Sequence, residues 1–263
     1  MKNRIVKKIT SVSISLLLLS GVSFANESSK VNASKLMDIA GKQRMLSQRI
    51  AKDYIYVGKK IATSKADKQL KASLSEFLQI HNELATLITD SEIKNLLDFV
   101  ALSSNELKET ANKDFTLDNA HLILDLTESM LEGNQYIVDS LKATHKIKES
   151  DILEKAAKQR MLSQRIAKYY IAYQSGIKDE NTVNSMKETV KQFSENLKIL
   201  LANKANNPKI DKKLKEIDKL WKIVHKFYNN IEKGGLPLIV FNTTDNITKK
   251  MDEVTKLYIQ KDK

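Results

Sequence analysis

The residues best suited to chemistry are arginines, and they are concentrated. Of five arginines in 263 residues, four lie in one segment that occurs twice. Residues 42–52 read KQRMLSQRIAK, and residues 158–168 read KQRMLSQRIAK again, an offset of 116. Across 40–55 against 156–171, 14 of 16 positions agree; only Gly41/Ala157 and Asp53/Tyr169 differ. Each copy carries two arginines, Arg44 and Arg49 in the first, Arg160 and Arg165 in the second. A guanidinium presents a planar fork of donors that suits a small planar oxyanion. Gln43, Ser47, Gln159 and Ser163 add neutral donors and acceptors beside them. Other chemistry has little support. His81, His121, His145 and His225 do not recur at the repeat offset, and none has a second His three or four residues away, the spacing of a helical metal site. The chain has no Cys, which excludes disulfides, thiolate zinc sites and c-type haem attachment. Neither a Ser/His/Asp order nor a Gly-rich phosphate loop is present. The expectation is a binding protein rather than an enzyme, with no catalytic residue, metal or cofactor.

Helical geometry sorts the segment into faces. At 100° per residue, Leu36, Ile39, Leu46, Ile50, Tyr54, Val57 and Ile61 fall within about 80° of arc. Gln43 and Ser47, like Gln159 and Ser163, sit in the middle of that apolar stripe. They are either satisfied side chains linking helices or part of a polar ligand site. A second face carries Gly41 (Ala157), Met45 (Met161) and Gln48 (Gln164), small and adaptable residues suited to a helix–helix contact outside the bundle core. That contact is either a homodimer interface or one between the two copies. Arg44 lies between the faces. Arg49 can pair with Asp53 one turn on, whereas Tyr169 leaves Arg165 without that local partner.

An all-α fold must position these residues. Two Pro and seven Gly are few for a turn-rich β protein. Each copy reads as four helices, at about 34–63, 67–89, 91–112 and 116–145, then 150–176, 179–204, 209–232 and 244–261. Asp90 or Ser91 can cap the third helix and Thr116 the fourth. The apolar run 236–241 after Gly234-Gly235 reads as a loop plugging a bundle end. The fourth helices align weakly, Thr127–Met130 against Thr248–Met251. Two tandem four-helix bundles result, over 26–147 and 148–263. Either they are joined by one continuous helix of about 90 Å or the helix breaks near 148–151. Lone Trp221 belongs to the second core.

The formal charge is +12, which raises the possibility of a nucleic-acid binder. Its distribution argues against one. Residues 1–25 read as a cleaved secretory signal peptide, with Lys2, Arg4, Lys7 and Lys8 before an apolar stretch and Ser23-Phe24-Ala25 at its end. The apolar stretch is short for a membrane anchor. Residues 26–145 carry 15 basic and 17 acidic groups, and residues 146–263 carry 25 and 15. The excess is a lysine-rich surface on the second unit. An exported, periplasmic protein meets little nucleic acid.

The segments IAGKQRMLSQRIAK and EKAAKQRMLSQRIAK resemble the start of the PilJ-type domain, the N-terminal module of type IV pili methyl-accepting chemotaxis transducers. They are similar also to the AG-x-x-RM-x-S-x-R segment in the periplasmic sensor of nitrate/nitrite kinases. The resemblance implies a helical sensory bundle. In the nitrate sensors the Arg of the RM pair holds nitrate between the first helices of two subunits. By motif that Arg is Arg44 and Arg160, with Gly41 matching the family glycine and Ala157 departing from it. Arg49 and Arg165 take a structural or electrostatic role. Gln48 and Gln164 stand where the nitrate sensors carry a larger aromatic. The implied ligand is a small oxyanion such as nitrate or nitrite, and the implied output passes to a membrane receptor or kinase partner. The alternative is an adaptor bundle docking on an envelope or chemoreceptor complex with no small ligand.

Overall fold

The computed structural model describes residues 21–144 and 151–261, with side chains over 36–144 and 151–260. The expected leader lies outside the described side chains, and its first 20 residues lie outside the described chain. The described residues form eight α-helices and no strand: α1 (Gly21–Gly58), α2 (Thr63–Leu87), α3 (Ser91–Ala111), α4 (Leu117–Thr144), α5 (Asp151–Gln174), α6 (Glu180–Ala202), α7 (Pro208–Asn229) and α8 (Pro237–Lys261), with a 3-10 turn at Ile231–Lys233.

Local chemistry sets most boundaries. Asp90 caps α3 by accepting from the amides of Glu92 and Ile93 at 3.0 Å, and Thr116 Oγ1 accepts from Asn119 N at the start of α4. Asn207 caps α7 through Ile210 N, with Pro208 in the first turn where its missing N–H costs nothing. Two boundaries differ from expectation. α1 stops at Gly58 rather than 63, because Lys60 and Ala62 take positive φ (58° and 51°) and turn the chain into α2. The run 236–241 is not a loop: from Pro237 on it is the first turn of α8, burying Val240 and Phe241. The turn before it is tight. A Cβ on Gly235 would lie 1.6 Å from the Tyr170 hydroxyl, so only glycine passes there without displacing that ring.

The burial patterns of the two units match helix by helix among the described residues. Buried positions of α2 recur in α6 at the offset of 116: Leu70/Met186, Phe77/Phe193 and Leu84/Leu200. From α3 onward the offset is 117: Ile93/Ile210, Leu97/Leu214, Val100/Ile217, Leu107/Val224, then Ile123/Val240, Met130/Ile247 and Leu141/Tyr258. One residue is therefore inserted in the α6–α7 loop relative to α2–α3. The fourth helices pair four residues away from the weak sequence alignment, about one helical turn. Trp221 is buried beside Phe193, ring centroids 4.2 Å apart.

In each unit the first helix packs against the second and fourth, and the third closes on the fourth. α1 also packs along α5. Arg44 meets Gln135 and Gln48 meets Thr127, so α4 is antiparallel to α1. Lys142 meets Glu154 and Glu128 meets Arg165, so α4 is antiparallel to α5 as well. On one straight helix Glu128 and Arg165 would stand about 55 Å apart. The continuous 60-residue helix is thus excluded: α4 and α5 run antiparallel, and α1 and α5 run parallel, side by side. Their burial on all faces follows. From Ala40 to Tyr56 every residue but Lys42 and Arg49 is buried. A helix in an isolated four-helix bundle keeps a solvated face; here the other unit covers it.

Candidate functional site

The parallel α1–α5 pair brings the two copies of the repeated segment together. The second face, with Met45, Gln48, Met161 and Gln164, is buried within the chain rather than left for another molecule. Gln48 Nε2 donates to Thr127 O at 2.9 Å and Gln164 Nε2 to Thr248 Oγ1 at 2.7 Å, each tying the first helix of its unit to the fourth.

Arg44 and Arg160 converge at Gly41. Their Nη2 atoms lie 3.5 and 3.7 Å from the point where a Gly41 Cβ would stand. Arg44 donates through Nη1 to Gln135 Oε1 of α4. Gln135 is itself oriented by Asp139, to which its amide donates at 3.0 Å. Arg160 donates through Nη1 to Asp252 of α8 at 2.7 Å and through Nη2 to Asp38 of α1 at 3.0 Å. Gln135 and Asp252 are equivalent at the offset of 117, so one arginine faces a neutral amide where the other faces a carboxylate. Burial would raise the Asp252 carboxyl, but Lys256 and Arg160 hold it below its ordinary value. Lys158 adds a third cation. Burial, and after it the Arg44 charge, lowers its ammonium pKa.

The remaining candidates lie elsewhere. Gln159 Nε2 donates to Phe193 O of α6 at 3.0 Å, inside its own bundle. Gln43, its counterpart at the repeat offset, is buried with neither amide atom bonded. Ser47 and Ser163 bond back to the carbonyls of Arg44 and Arg160, and Ser163 also meets Thr248 at 2.7 Å. The structure therefore gathers Gly41, Arg44 and Arg160 and leaves the glutamines and serines in the bundle interiors.

Arg165 belongs to a second arrangement that sequence spacing did not suggest. Arg165 holds Glu128 of α4 with two donors, Nε at 3.2 Å and Nη2 at 2.6 Å. Lys168, fully buried, bonds the same carboxylate. At the equivalent place Lys52, also fully buried, reaches across to Asp245 of α8 at 2.7 Å, where Gln69 donates too. Glu128 and Asp245 correspond at 117, and Lys52 and Lys168 at 116. Each first helix thus grips the fourth helix of the other unit through a buried lysine and one carboxylate. The local partner that Arg165 lacks is replaced by this distant one. Arg49 does not bond Asp53; both Asp53 oxygens lack aligned donors, although Lys52 Nζ stands 3.2 Å from one of them.

Asp53 consequently titrates far from its ordinary range. Burial dominates, Lys52 opposes it, and Asp245 adds repulsion; the carboxyl is raised to about 7. Its folded pKa lies above the unfolded value of 3.8, so the stability it contributes is full below about pH 4 and is lost as pH rises through 7. Asp53→Asn keeps the neutral shape and is expected to stabilise the fold by on the order of 2 kcal/mol at pH 8, with no gain near pH 4. Thermal melts of both proteins across that range measure it.

The family model described as PilJ, type IV pili methyl-accepting chemotaxis transducer N-term, matches residues 26–95 and again 147–243. The chain belongs to the PilJ family. The first match covers most of α1, all of α2 and the start of α3, and the second runs from before α5 into α8, so the PilJ motif is present in tandem. PilJ membership links the chain to the sensory input of chemotaxis transducers. No curated protein and no solved structure matches it. Among the described residues of this tandem PilJ protein no helix is long and apolar enough to cross a membrane.

Proposed function

We propose that the chain is an exported sensory protein that binds one small oxyanion, nitrate or nitrite, at the α1–α5 seam and passes its state to a membrane receptor or kinase. The observation that carries this reading is the approach of both Nη2 atoms to Gly41. Two guanidiniums on helices from different units suit a planar anion with oxygens on both sides. A seam closed by reciprocal ion pairs gives that anion a way to change how the units pack. The related nitrate sensors place their ligand between two subunits; here both first helices lie in one chain, which makes a homodimer unnecessary for the site.

A second reading is supported by Arg160, which already holds two carboxylates. If both arginines serve only the architecture, the protein is an adaptor with no small ligand. Calorimetry on the chain without residues 1–25, with nitrate, nitrite, sulfate and chloride, separates the two. Nitrate or nitrite is expected to bind with one anion per chain, and Arg44→Ala to weaken binding at least roughly tenfold. Heat absent for every anion, or unchanged by Arg44→Ala and Arg160→Ala together, would leave the adaptor reading.

A further inference from the structure

The internal repeat allows one surface to be judged against its own counterpart. On the outer face of unit two, α7 and α8 are laced by two ion pairs, Lys213 with Glu253 and Lys250 with Glu216 at 2.6 Å. At the offset of 117 these four positions are Leu96, Tyr136, Gly133 and Phe99 in unit one. The lacing is thus replaced by apolar contact: Phe99 lies over Gly133, its ring 3.3 Å from the Cβ position there. The replacement leaves apolar surface in water. Phe99 is 49% exposed, Tyr136, one turn from Gly133, 63%, and Leu102, one turn from Phe99, 72%. Leu102 corresponds to Lys219. A fold that closes this helix pair with charge in one copy does not need exposed aromatics in the other, so the patch calls for a partner.

Charge identifies the kind of partner. α3 and α4 together carry nine acidic and three basic residues, whereas α7 and α8 carry six and eleven. Asp98 and Glu106 on α3 and Glu132 and Asp139 on α4 are exposed around the apolar groups. Two such faces repel, which argues against a symmetric dimer through this patch. We propose that the α3–α4 face of unit one docks a basic amphipathic helix of another protein, with its apolar stripe on Phe99, Leu102 and Tyr136 and its lysines or arginines against the surrounding carboxylates. This rests on the reading above only for the existence of a protein partner, and not on the anion.

The probe is a helical Leu/Lys peptide of about five turns, with a scrambled peptide of the same composition. Binding to the full chain is followed by fluorescence anisotropy. The test variant, Phe99→Glu with Leu102→Lys and Tyr136→Glu, carries the residues unit two already has. The amphipathic peptide is expected to bind the native chain at least roughly tenfold more tightly than the variant, and than the scrambled peptide binds the native chain. Leu102→Lys alone, at the most exposed position, is expected to weaken binding severalfold, and serves if the triple variant melts early. Equal binding to native and variant chains overturns the proposal, as does equal binding of the scrambled peptide. Concentration-dependent self-association lost in the variant assigns the face to a second copy instead, and also overturns it. Nitrate calorimetry on the variant is expected to match the native chain, so failure of one site is distinguishable from failure of the other.

Discussion

Glu128→Gln is expected to destabilise the chain by about 3–5 kcal/mol, the largest stability effect of a single substitution at the seam. The carboxylate is shared by Lys168, whose side chain is fully buried, and by Arg165, which grips it with two donors. The amide keeps the shape but removes the charge, leaving a buried ammonium with no counter-ion. Water cannot reach that ammonium, so the desolvation cost stands uncompensated. Adding Lys168→Met to Glu128→Gln removes the stranded charge and is expected to recover a large part of the loss. Denaturant unfolding of the two single variants and the double variant measures the coupling. Simple additivity would show that the pair does not act as a unit.

The same contact fixes the acid limb of stability. Burial would raise Glu128 and Asp245, but the cations beside them, Lys168 and Arg165 in one case and Lys52 in the other, outweigh burial and hold both at about 2. Their folded values lie below the unfolded ones of 4.5 and 3.8. Their contribution is therefore present above about pH 4.5 and is lost as pH falls toward 2. For Glu128 alone the linkage is about 3 kcal/mol. Because each carboxylate lies on one unit and its lysine on the other, acid loosens the seam before it touches the bundle cores. Asp53 acts in the opposite sense over a higher range, so Asp53→Asn and Glu128→Gln are expected to alter different limbs of one pH profile.

The bundle itself was legible because helical period, caps and breakers are local properties. Asp90, Thr116 and Asn207 do what their side chains allow wherever they occur before a helix. The second face of the repeated segment was legible as a packing face, and the family motif pointed to Arg44 and Arg160. Which of its two candidate partners, a second molecule or the other copy, it packs against was not, since a parallel pairing of residues 116 apart leaves no local trace. Lys52 and Lys168 show the limit most clearly. Lysines following a helix stripe read as solvated, and only the other unit's fourth helix turns them into buried ion-pair partners. The start of α8 was hidden for a different reason: Gly234-Gly235-Leu236-Pro237 is a strong breaker, but Pro at the first helical position starts a helix as readily as it ends one. The fourth-helix register was missed because a shift of four residues nearly preserves a helical pattern.

Gly41→Ala is expected to separate ligand binding from architecture. A Cβ at Gly41 meets only the two Nη2 atoms, at 3.5 and 3.7 Å, which is ordinary contact. The methyl therefore fits the seam, and Gly→Ala within a helix is expected to stabilise by about 0.5–1 kcal/mol. It would, however, occupy the point on which both guanidiniums converge. Under the proposed function the variant melts higher than the native chain yet loses at least roughly tenfold in nitrate or nitrite affinity, a combination that a purely structural seam cannot give. The repeat supplies the complementary change. Asp252→Gln installs in unit two the amide that Gln135 provides in unit one, and removes one of the two carboxylates that compete for Arg160. Anion affinity is expected to rise by about tenfold, because an incoming oxyanion then displaces only Asp38. Calorimetry on Gly41→Ala, Asp252→Gln and the native chain reads both effects. Unchanged affinity in both variants would place the ligand away from the seam.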